Sequence, residues 1–421
     1  MRTMQIAALL STDVGLLNHC RRVAALAHLI AHHLFLPTEE KDLLHAACLL
    51  HHHDTGAFSP AALDRLLKDV LRSRHPAPAF SDPLPLTVRR VHKAAGVPGS
   101  GALLDRKLGE ILRLCDALDQ ELELQPLEGR DALEILAHME DGAQAGLWSQ
   151  ELMEALRTCL TPLPLVEPEK WPVPPFPQAA VHILKLLEDP SANIRHVAQA
   201  ASLDPAAAGT VMQLANSALF GMRIPAATLA AAIARLGFVT AHRVLMAVAL
   251  RPVLRLPRLE QLWPHSLEVA DLSEQLALRS KQADPGEAYL AGLLHDIGRI
   301  ALLAVPLYDF ARLQGLQASA CPAVYAENLL LRTDHATLGG RIARMWRLPE
   351  ETVAAIQYHH VPDETGNRLA HILYLAEYLS DSAEDLPSQV RMNAALRSLG
   401  MTLDAVNDCT VSGVGSWLAA A

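Results

Sequence analysis

Residues 289–300, which read Tyr-Leu-Ala-Gly-Leu-Leu-His-Asp-Ile-Gly-Arg-Ile, constrain the fold of this chain more than any other stretch. Their apolar positions recur at helical spacing, which predicts a buried helix. His295 and Asp296 lie in the middle of this predicted helix. A buried imidazole beside a buried carboxylate is costly unless something compensates both groups. A metal ion is one such compensator, because neutral imidazole and carboxylate both serve as metal ligands.

Helical spacing of apolar residues continues along most of the 421 residues, and no stretch shows convincing alternation of period two. Apolar residues make up 51% of the sequence but aromatic residues only 4%, so Leu, Ala, Val and Ile dominate. This composition is typical of close-packed helices. We therefore expect an all-α fold, and the length is enough for two or three domains.

Seven prolines between residues 161 and 177 mark the clearest domain boundary. This density of proline excludes a helix and favours extended polyproline geometry. We expect a first helical domain at residues 1–160, a Pro-rich linker at 161–177 and a second domain at 171–380. A helical tail follows at 381–421.

Charge and cysteine content narrow the possible functions. The net charge of −10 argues against broad non-specific binding to nucleic acid. We interpret the local basic stretch Arg243–Arg258 as a solvated helix face and loop, with a nucleic-acid site as a weaker hypothesis. The six cysteines form no CxxC pair, which predicts reduced, buried thiols and a cytoplasmic location. No run is apolar enough for a transmembrane helix, so we expect no membrane association of the chain itself.

The second half contains an ordered set of histidines and carboxylates on five predicted helices. Only the fold can bring them together, because they are 17 to 39 residues apart, and together they offer nitrogen and oxygen ligands without thiolate. Such ligands suit iron, manganese, zinc or magnesium. The set consists of His265, the pair His295-Asp296, His335, the pair His359-His360, and Glu377.

This ordered set resembles that of the HD superfamily of metal-dependent phosphohydrolases. More closely, residues 171–380 resemble the HDOD family, the HD-related output domain of bacterial signalling proteins. The resemblance implies an HD-like helical bundle at about 260–380, preceded by an N-terminal helical subdomain. It also implies a regulatory protein that acts through a signalling partner or a nucleotide-like ligand. The motifs that carry it are Pro174-Pro175-Phe176-Pro177, the run 214–221 (LANSALFG), Ala234-Arg235-Leu236-Gly237, the run 291–299 (AGLLHDIGR), Asp334-His335 and Tyr358-His359-His360.

In catalytic HD relatives, the matching residues hold one or more divalent metals that activate a water against a phosphoester. Carried over to this chain, Asp296 and Arg299 would belong to the catalytic site, with Arg299 as a phosphate contact. The candidate metal ligands are His265, His295, Asp296, His335, His359, His360 and Glu377.

Three departures from the catalytic pattern favour regulation without turnover. Glu377 stands where a final Asp is expected, so its carboxylate lies one methylene farther out. Arg299 replaces the Lys of the cyclic-dinucleotide phosphodiesterases, and a guanidinium stays charged and cannot act as a general acid. The Gly-Tyr-Pro element of those enzymes is missing after His360. The alternative is a metal-dependent phosphodiesterase that acts on a nucleotide or cyclic dinucleotide.

The first half bears a fainter similarity to a degenerate HD domain of the Gly-Tyr-Pro type. Two positions after the second predicted helix could match the His-Asp pair of such a domain. One is His51-His52, and the other is His53-Asp54, shifted by two residues. One hypothesis is a second metal site; the other, which we favour, is a scaffold that kept its helices and lost its site. The set for the first hypothesis is His19, His53, Asp54 and Asp116.

Overall fold

All the regular secondary structure in the described part of the chain is helical, which confirms the all-α prediction. The protein is seen here as a computed structural model that describes residues 14–52, 84–96, 102–124, 132–141, 148–163, 171–188, 192–221, 224–306, 321–380 and 388–420, and a few between 310 and 316. The chain divides into two compact units. The first is Met1–Leu165, Val305–Asp334 and Glu384–Ser388; the second is Val166–Ala304, His335–Ala383 and Gln389–Ala421.

The first unit packs its described helices around a core rich in leucine. Helix α1 packs against α2, α4 and α6. Leu26, Leu44 and Ile111 are fully enclosed where these helices meet, and burial of such side chains contributes about 1.5–3 kcal/mol each. The helices of this unit are α1 (Val14–His33), α2 (Thr38–Leu50), α3 (Leu84–Gly96), α4 (Leu103–Leu124), α5 (Ala132–Asp141), α6 (Gln150–Leu160) and, later in the chain, α15 (Ala323–Leu331).

The segment Val305–Asp334 belongs to the first unit, although the predicted second domain at 171–380 includes it. The Leu163 amide donates a hydrogen bond to the carbonyl of Leu330, at 2.7 Å. The Arg312 guanidinium donates to the carbonyl of Cys159, at 2.8 Å. The first unit is therefore built from stretches that are distant in sequence.

The second unit contains the remaining described helices, and several start at the capping residues that the sequence provides. Asp204 and Asp284 each accept amide hydrogen bonds ahead of a proline in the first turn. Its helices are α7 (Gln178–Glu188), α8 (Ile194–Ser202), α9 (Pro205–Ala215), α10 (Leu229–Leu236), α11 (Phe238–Leu254), α12 (Leu262–Ser280), α13 (Pro285–Leu294), α14 (Arg299–Leu302), α16 (His335–Met345), α17 (Glu350–Tyr358), α18 (Arg368–Leu379), α19 (Gln389–Leu399), α20 (Leu403–Asn407) and α21 (Gly413–Ala420).

Helices α12, α13 and α18 form the core that supports the candidate site. A Cβ at Gly292 of α13 would lie 2.5 Å from the Cα of Ala270 on α12, so only glycine permits this close crossing. Helix α18 is fixed at its start by Asn367, whose side chain accepts from two amides of the first turn and donates to the carbonyl of Glu351 at 2.8 Å. These contacts set the helices that carry the ligands at defined positions.

The predictions about proline, cysteine and membrane spans can be compared directly with the structure. Residues 172–177 are not helical, and the Trp346 indole donates to the carbonyl of Pro174 at 3.0 Å, so this part of the proline segment packs within the second unit. All six cysteines are buried and none forms a disulfide with a described residue, in agreement with the prediction of buried, reduced thiols. Taken singly, none of the described helices has the length and hydropathy of a membrane span; only α10 and α11 together, bent by 113°, meet that test.

Candidate metal centre

The pair His295-Asp296 lies in a turn between α13 and α14, so the prediction that it sits in mid-helix is wrong. The turn is held by Gly298, where a Cβ would lie 1.9 Å from the carbonyl oxygen of His335 and 2.4 Å from the amide nitrogen of Gly339. This contact with the first turns of α16 places His335 beside Asp296. Hydrophobic periodicity continues through Ile297 and Ile300, which explains why it gives no sign of the break.

The first ligand group joins α12, the turn and α18. The Nε2 atoms of His265 and His295 lie 3.1 Å apart. The Glu377 Oε1 atom lies 2.9 Å from His265 Nε2 and 2.8 Å from His295 Nε2. The longer side chain of Glu377 therefore reaches the position that the sequence pattern assigns to an Asp.

The second ligand group joins the turn, the start of α16 and the turn after α17. The His335 Nε2 atom lies 3.0 Å from Asp296 Oδ1 and 2.9 Å from His360 Nε2. Donor atoms of His359 and His360 come within 4.8 Å of that of His335, and a donor atom of His359 is equally close to those of His295 and Asp296. All seven predicted ligands are thus brought together, and Asp296 lies between the two groups.

The inner imidazoles have the proton arrangement that metal ligands need. His295 Nδ1 lies 2.8 Å from the carbonyl of Gly292, and His359 Nδ1 lies 2.7 Å from the carbonyl of Ile356. A carbonyl only accepts, so each Nδ1 carries a proton, and Nε2 is the nitrogen that each ring turns inwards. Within the described residues, the buried His359 Nε2 atom finds no hydrogen-bond partner. A cation suits such a convergence of electron pairs.

Charges around the centre keep its carboxylates ionised. Burial opposes this, but His265 and His295 hold the pKa of Glu377 well below its usual range, and Arg299 and the histidines do the same for Asp296. Burial lowers the pKa of His359 to about 3, so this ring is neutral at pH 7. Anionic carboxylate and neutral imidazole are the forms that bind metal.

The predicted phosphate contact, Arg299, is directed at a ligand. Its Nε donates to Asp296 Oδ2 at 2.6 Å, and both groups are largely buried. This geometry orients Asp296, in the way that outer partners orient metal ligands. His265, Glu377 and His360 are partly exposed, whereas His295 and His335 are fully buried.

The N-terminal histidines also meet, but with different partners from those predicted. The predicted set was His19, His53, Asp54 and Asp116, of which His53 and Asp54 lie outside the described residues. His19 and Asp116 do come together, with His19 Nε2 3.0 Å from Asp116 Oδ1. The histidines beside them are His51 and His52, the other alternative in the sequence.

The interpretation of Arg243–Arg258 as a solvated basic face is wrong for Arg243. Its guanidinium lies 3.6 Å from Asp271 Oδ1 and forms an ion pair with Glu274. Both carboxylates are almost fully buried, so this arginine neutralises internal charge. The sequence gives no sign of these partners, which lie on the next helix, α12.

Comparison with known proteins supports the identification of the second half. The family model of the HDOD domain matches residues 173–362, so Glu377 lies just beyond the match. An uncharacterized protein of Treponema pallidum (strain Nichols) is 27% identical over 192 residues, which cover 45% of this chain and 37% of that protein. The chain therefore spans little more than a third of the length of this relative.

Two solved structures are similar to this chain. One is an HDOD domain protein with unknown function from Geobacter sulfurreducens, 25% identical with a TM-score of 0.49, covering 56% of this chain and 86% of that one. The other, from Marinobacter aquaeolei VT8, is a candidate signal transduction protein, 24% identical with a TM-score of 0.50, covering 62% of this chain and 60% of that one. The second likeness supports the helical fold.

Proposed function

Because residues 173–362 form an HDOD domain, we propose that this chain is a bacterial signal-transduction protein whose second unit regulates by binding rather than by turnover. Its target would be a signalling protein or a nucleotide-like ligand. The single observation that carries this proposal is the 2.6 Å contact between Arg299 and Asp296. Through this contact Arg299, which stands where related phosphodiesterases have a lysine, is paired with a candidate metal ligand. In addition, a guanidinium has no proton to donate near neutral pH.

We further propose that bound divalent metal holds this unit in its signalling form. His265, His295 and Glu377 would hold one ion, and Asp296 and His335 with the His359-His360 pair would hold a second. Iron, manganese, zinc and magnesium all accept such nitrogen and oxygen donors. A bound ion of this kind lowers the pKa of water and polarises phosphoryl oxygens. The chain's own contribution is the fixed orientation of His295, His359 and Asp296 through Gly292, Ile356 and Arg299.

A second candidate function, metal-dependent phosphohydrolase, is favoured by the position of Asp296. Its Oδ1 lies 3.0 Å from His335 Nε2, and its Oδ2 lies 3.7 Å from His265 Nε2. A carboxylate between two ligand groups is a feature of two-metal sites that act on phosphoesters. In this role Arg299 would have to divide its guanidinium between Asp296 and a substrate phosphate.

Turnover by the metal-loaded full chain separates the two functions. The assay covers nucleotides, cyclic dinucleotides and simple phosphoesters, each with Mn²⁺, Fe²⁺, Zn²⁺ or Mg²⁺. We expect wild type to match the double variant His295→Ala/Asp296→Ala in showing no sustained hydrolysis. The control is His182→Ala, an exposed histidine of α7. Hydrolysis by wild type and by the control, but not by the double variant, would overturn the regulatory proposal and establish the enzyme.

A further inference from the structure

A second cluster of imidazoles lies in the first unit, where α1, the end of α2 and α4 meet. His19 comes from α1, His51 and His52 follow α2 directly, and Asp116 comes from α4. We propose that these four residues bind one divalent metal ion of the zinc type. The proposal replaces the interpretation of the first half as a scaffold without a site, and it does not depend on the function of the second unit.

The distances between the donor atoms match the edges of a coordination shell. His19 Nε2 lies 3.1 Å from His52 Nε2, 3.3 Å from His51 Nε2 and 3.0 Å from Asp116 Oδ1. Asp116 Oδ1 lies 3.3 Å from His51 Nε2 and 3.7 Å from His52 Nε2. Bonds of about 2.1 Å place neighbouring ligands about 3.4 Å apart in a tetrahedron and about 3.0 Å apart in an octahedron. The observed edges span these values.

The hydrogen bonds made by Nδ1 turn the Nε2 atoms of two rings towards the centre of the cluster. His51 Nδ1 lies 2.6 Å from the carbonyl of Cys48, which can only accept, so this nitrogen carries a proton. His19 Nδ1 lies 2.7 Å from the Asp119 carboxylate. Nε2 is therefore the nitrogen that each ring directs at the other ring and at Asp116. A cation at the centre would take the place of a proton between these atoms.

Asp119 supports His19 in the way that a carboxylate supports a metal-binding histidine. It is fully buried, and it accepts hydrogen bonds from Arg22 at 2.9 Å and from the Tyr325 hydroxyl at 3.0 Å. Such carboxylate partners fix the ring orientation and raise the basicity of the ligating nitrogen. Tyr325 comes from α15, so the later segment of the first unit completes this support.

The donor set indicates a single ion rather than a pair. Three imidazoles and one carboxylate fill a four-coordinate shell, as zinc prefers. His52 stands where the second unit has Asp296, so none of the described carboxylates of this cluster lies between two groups. The side chains of His52 and Asp116 are 38% and 24% exposed, whereas those of His19 and His51 are nearly buried. An ion would enter from the exposed side.

Cobalt titration of the full chain tests the proposal. Co²⁺ reports its own coordination, because a tetrahedral site absorbs visible light far more strongly than hydrated Co²⁺ does. The background is His295→Ala/Asp296→Ala, which removes one ligand from each group of the other centre. We expect one equivalent of tetrahedral Co²⁺ in this background, displaced by Zn²⁺. Adding His52→Gln or Asp116→Asn should weaken binding by at least about 100-fold, and the exposed His138→Gln of α5 should leave it unchanged.

A positioning variant adds a sharper readout. Asp119→Asn should weaken Co²⁺ binding by about 10–100-fold while keeping the tetrahedral spectrum, because the four ligands remain. The proposal is overturned if the folded background binds no Co²⁺, since the cluster is then only an ion pair of protonated His19. Equal binding by His52→Gln and His138→Gln overturns it as well.

If circular dichroism shows that the background does not fold, the otherwise unmodified chain serves instead. There, His52→Gln should remove one equivalent of bound metal from the total and His138→Gln none. Equal totals for the two variants would contradict the proposal.

Discussion

Gly298→Ala tests whether the turn between α13 and α14 builds the metal centre of the second unit. The added Cβ would lie 1.9 Å from the His335 carbonyl oxygen and 2.4 Å from the Gly339 amide nitrogen. Both are backbone atoms, so no side chain can rotate away. An ordinary contact begins near 3.4 Å, so α16 and the turn must separate by about 1.5 Å.

This displacement is large compared with what metal coordination tolerates. Asp296 Oδ1 and His335 Nε2 lie 3.0 Å apart, and metal–ligand distances vary by only about 0.2 Å. We expect Gly298→Ala to lose the metal bound between Asp296 and His335 while keeping the metal held by the first ligand group. Overpacking should also cost about 1–3 kcal/mol of unfolding free energy, which lowers Tm by about 2–4 °C per kcal/mol.

Metal analysis and calorimetry on the purified variant measure both effects. The matched control is Gly209→Ala in α9, where an added Cβ meets no atom within 4 Å. This control should keep its metal and gain up to about 1 kcal/mol, because alanine favours a helix over glycine. If Gly298→Ala kept the wild-type metal content and Tm, the proposed role of the turn would be refuted.

Three other substitutions, the last with a matched control, probe a carboxylate ligand, a buried histidine and a helix cap. Glu377→Ala should remove the metal of the first ligand group only; metal analysis showing equal loss from both groups would contradict their separation. Burial lowers the pKa of His242 to about 4 from 6.5, so stability falls as the pH drops through this range, by about 2 kcal/mol between pH 7 and pH 5. Urea unfolding of His242→Gln should show no such loss from this site. Asn367→Ala and its control Asp204→Ala should each lower the free energy of unfolding by about 1 kcal/mol in the same assay, because each removes a helix cap. Only Asn367 caps a helix that carries a candidate ligand, so only Asn367→Ala should also weaken metal binding.

Much of the second unit could be predicted from the sequence because its helices follow simple periodic signals. The pattern of apolar residues and the cap at Asn367 define α18, and the Asp204-Pro205 pair defines the start of α9. The seven candidate ligands of this unit could also be chosen from the order of His and carboxylate residues. Their spacing could not reveal the two groups, because the division depends on Asp296 lying between helices that are distant in sequence.

The sequence was less informative where backbone contacts decide the geometry. Gly298 is one glycine among 22, and nothing in the sequence distinguishes it. Its role is clear only from the close approach of the α16 backbone, which lies where a Cβ would be, at a point where the apolar pattern continues as if the helix did. In the first unit, two adjacent pairs, His51-His52 and His53-Asp54, both fit the pattern. Periodicity also cannot show that Val305–Asp334 packs with the first unit, since packing partners lie more than 100 residues away.

The metal content of the full chain, purified without chelator or affinity-tag metal, tests the central claim most directly. Wild type is compared with His295→Ala, which removes a buried ligand of the first group. We predict a stoichiometric divalent metal in the second unit of wild type and its loss in the variant, with the fold retained in circular dichroism. A well-folded wild type whose metal content equals that of His295→Ala, before and after metal is added, would contradict the account.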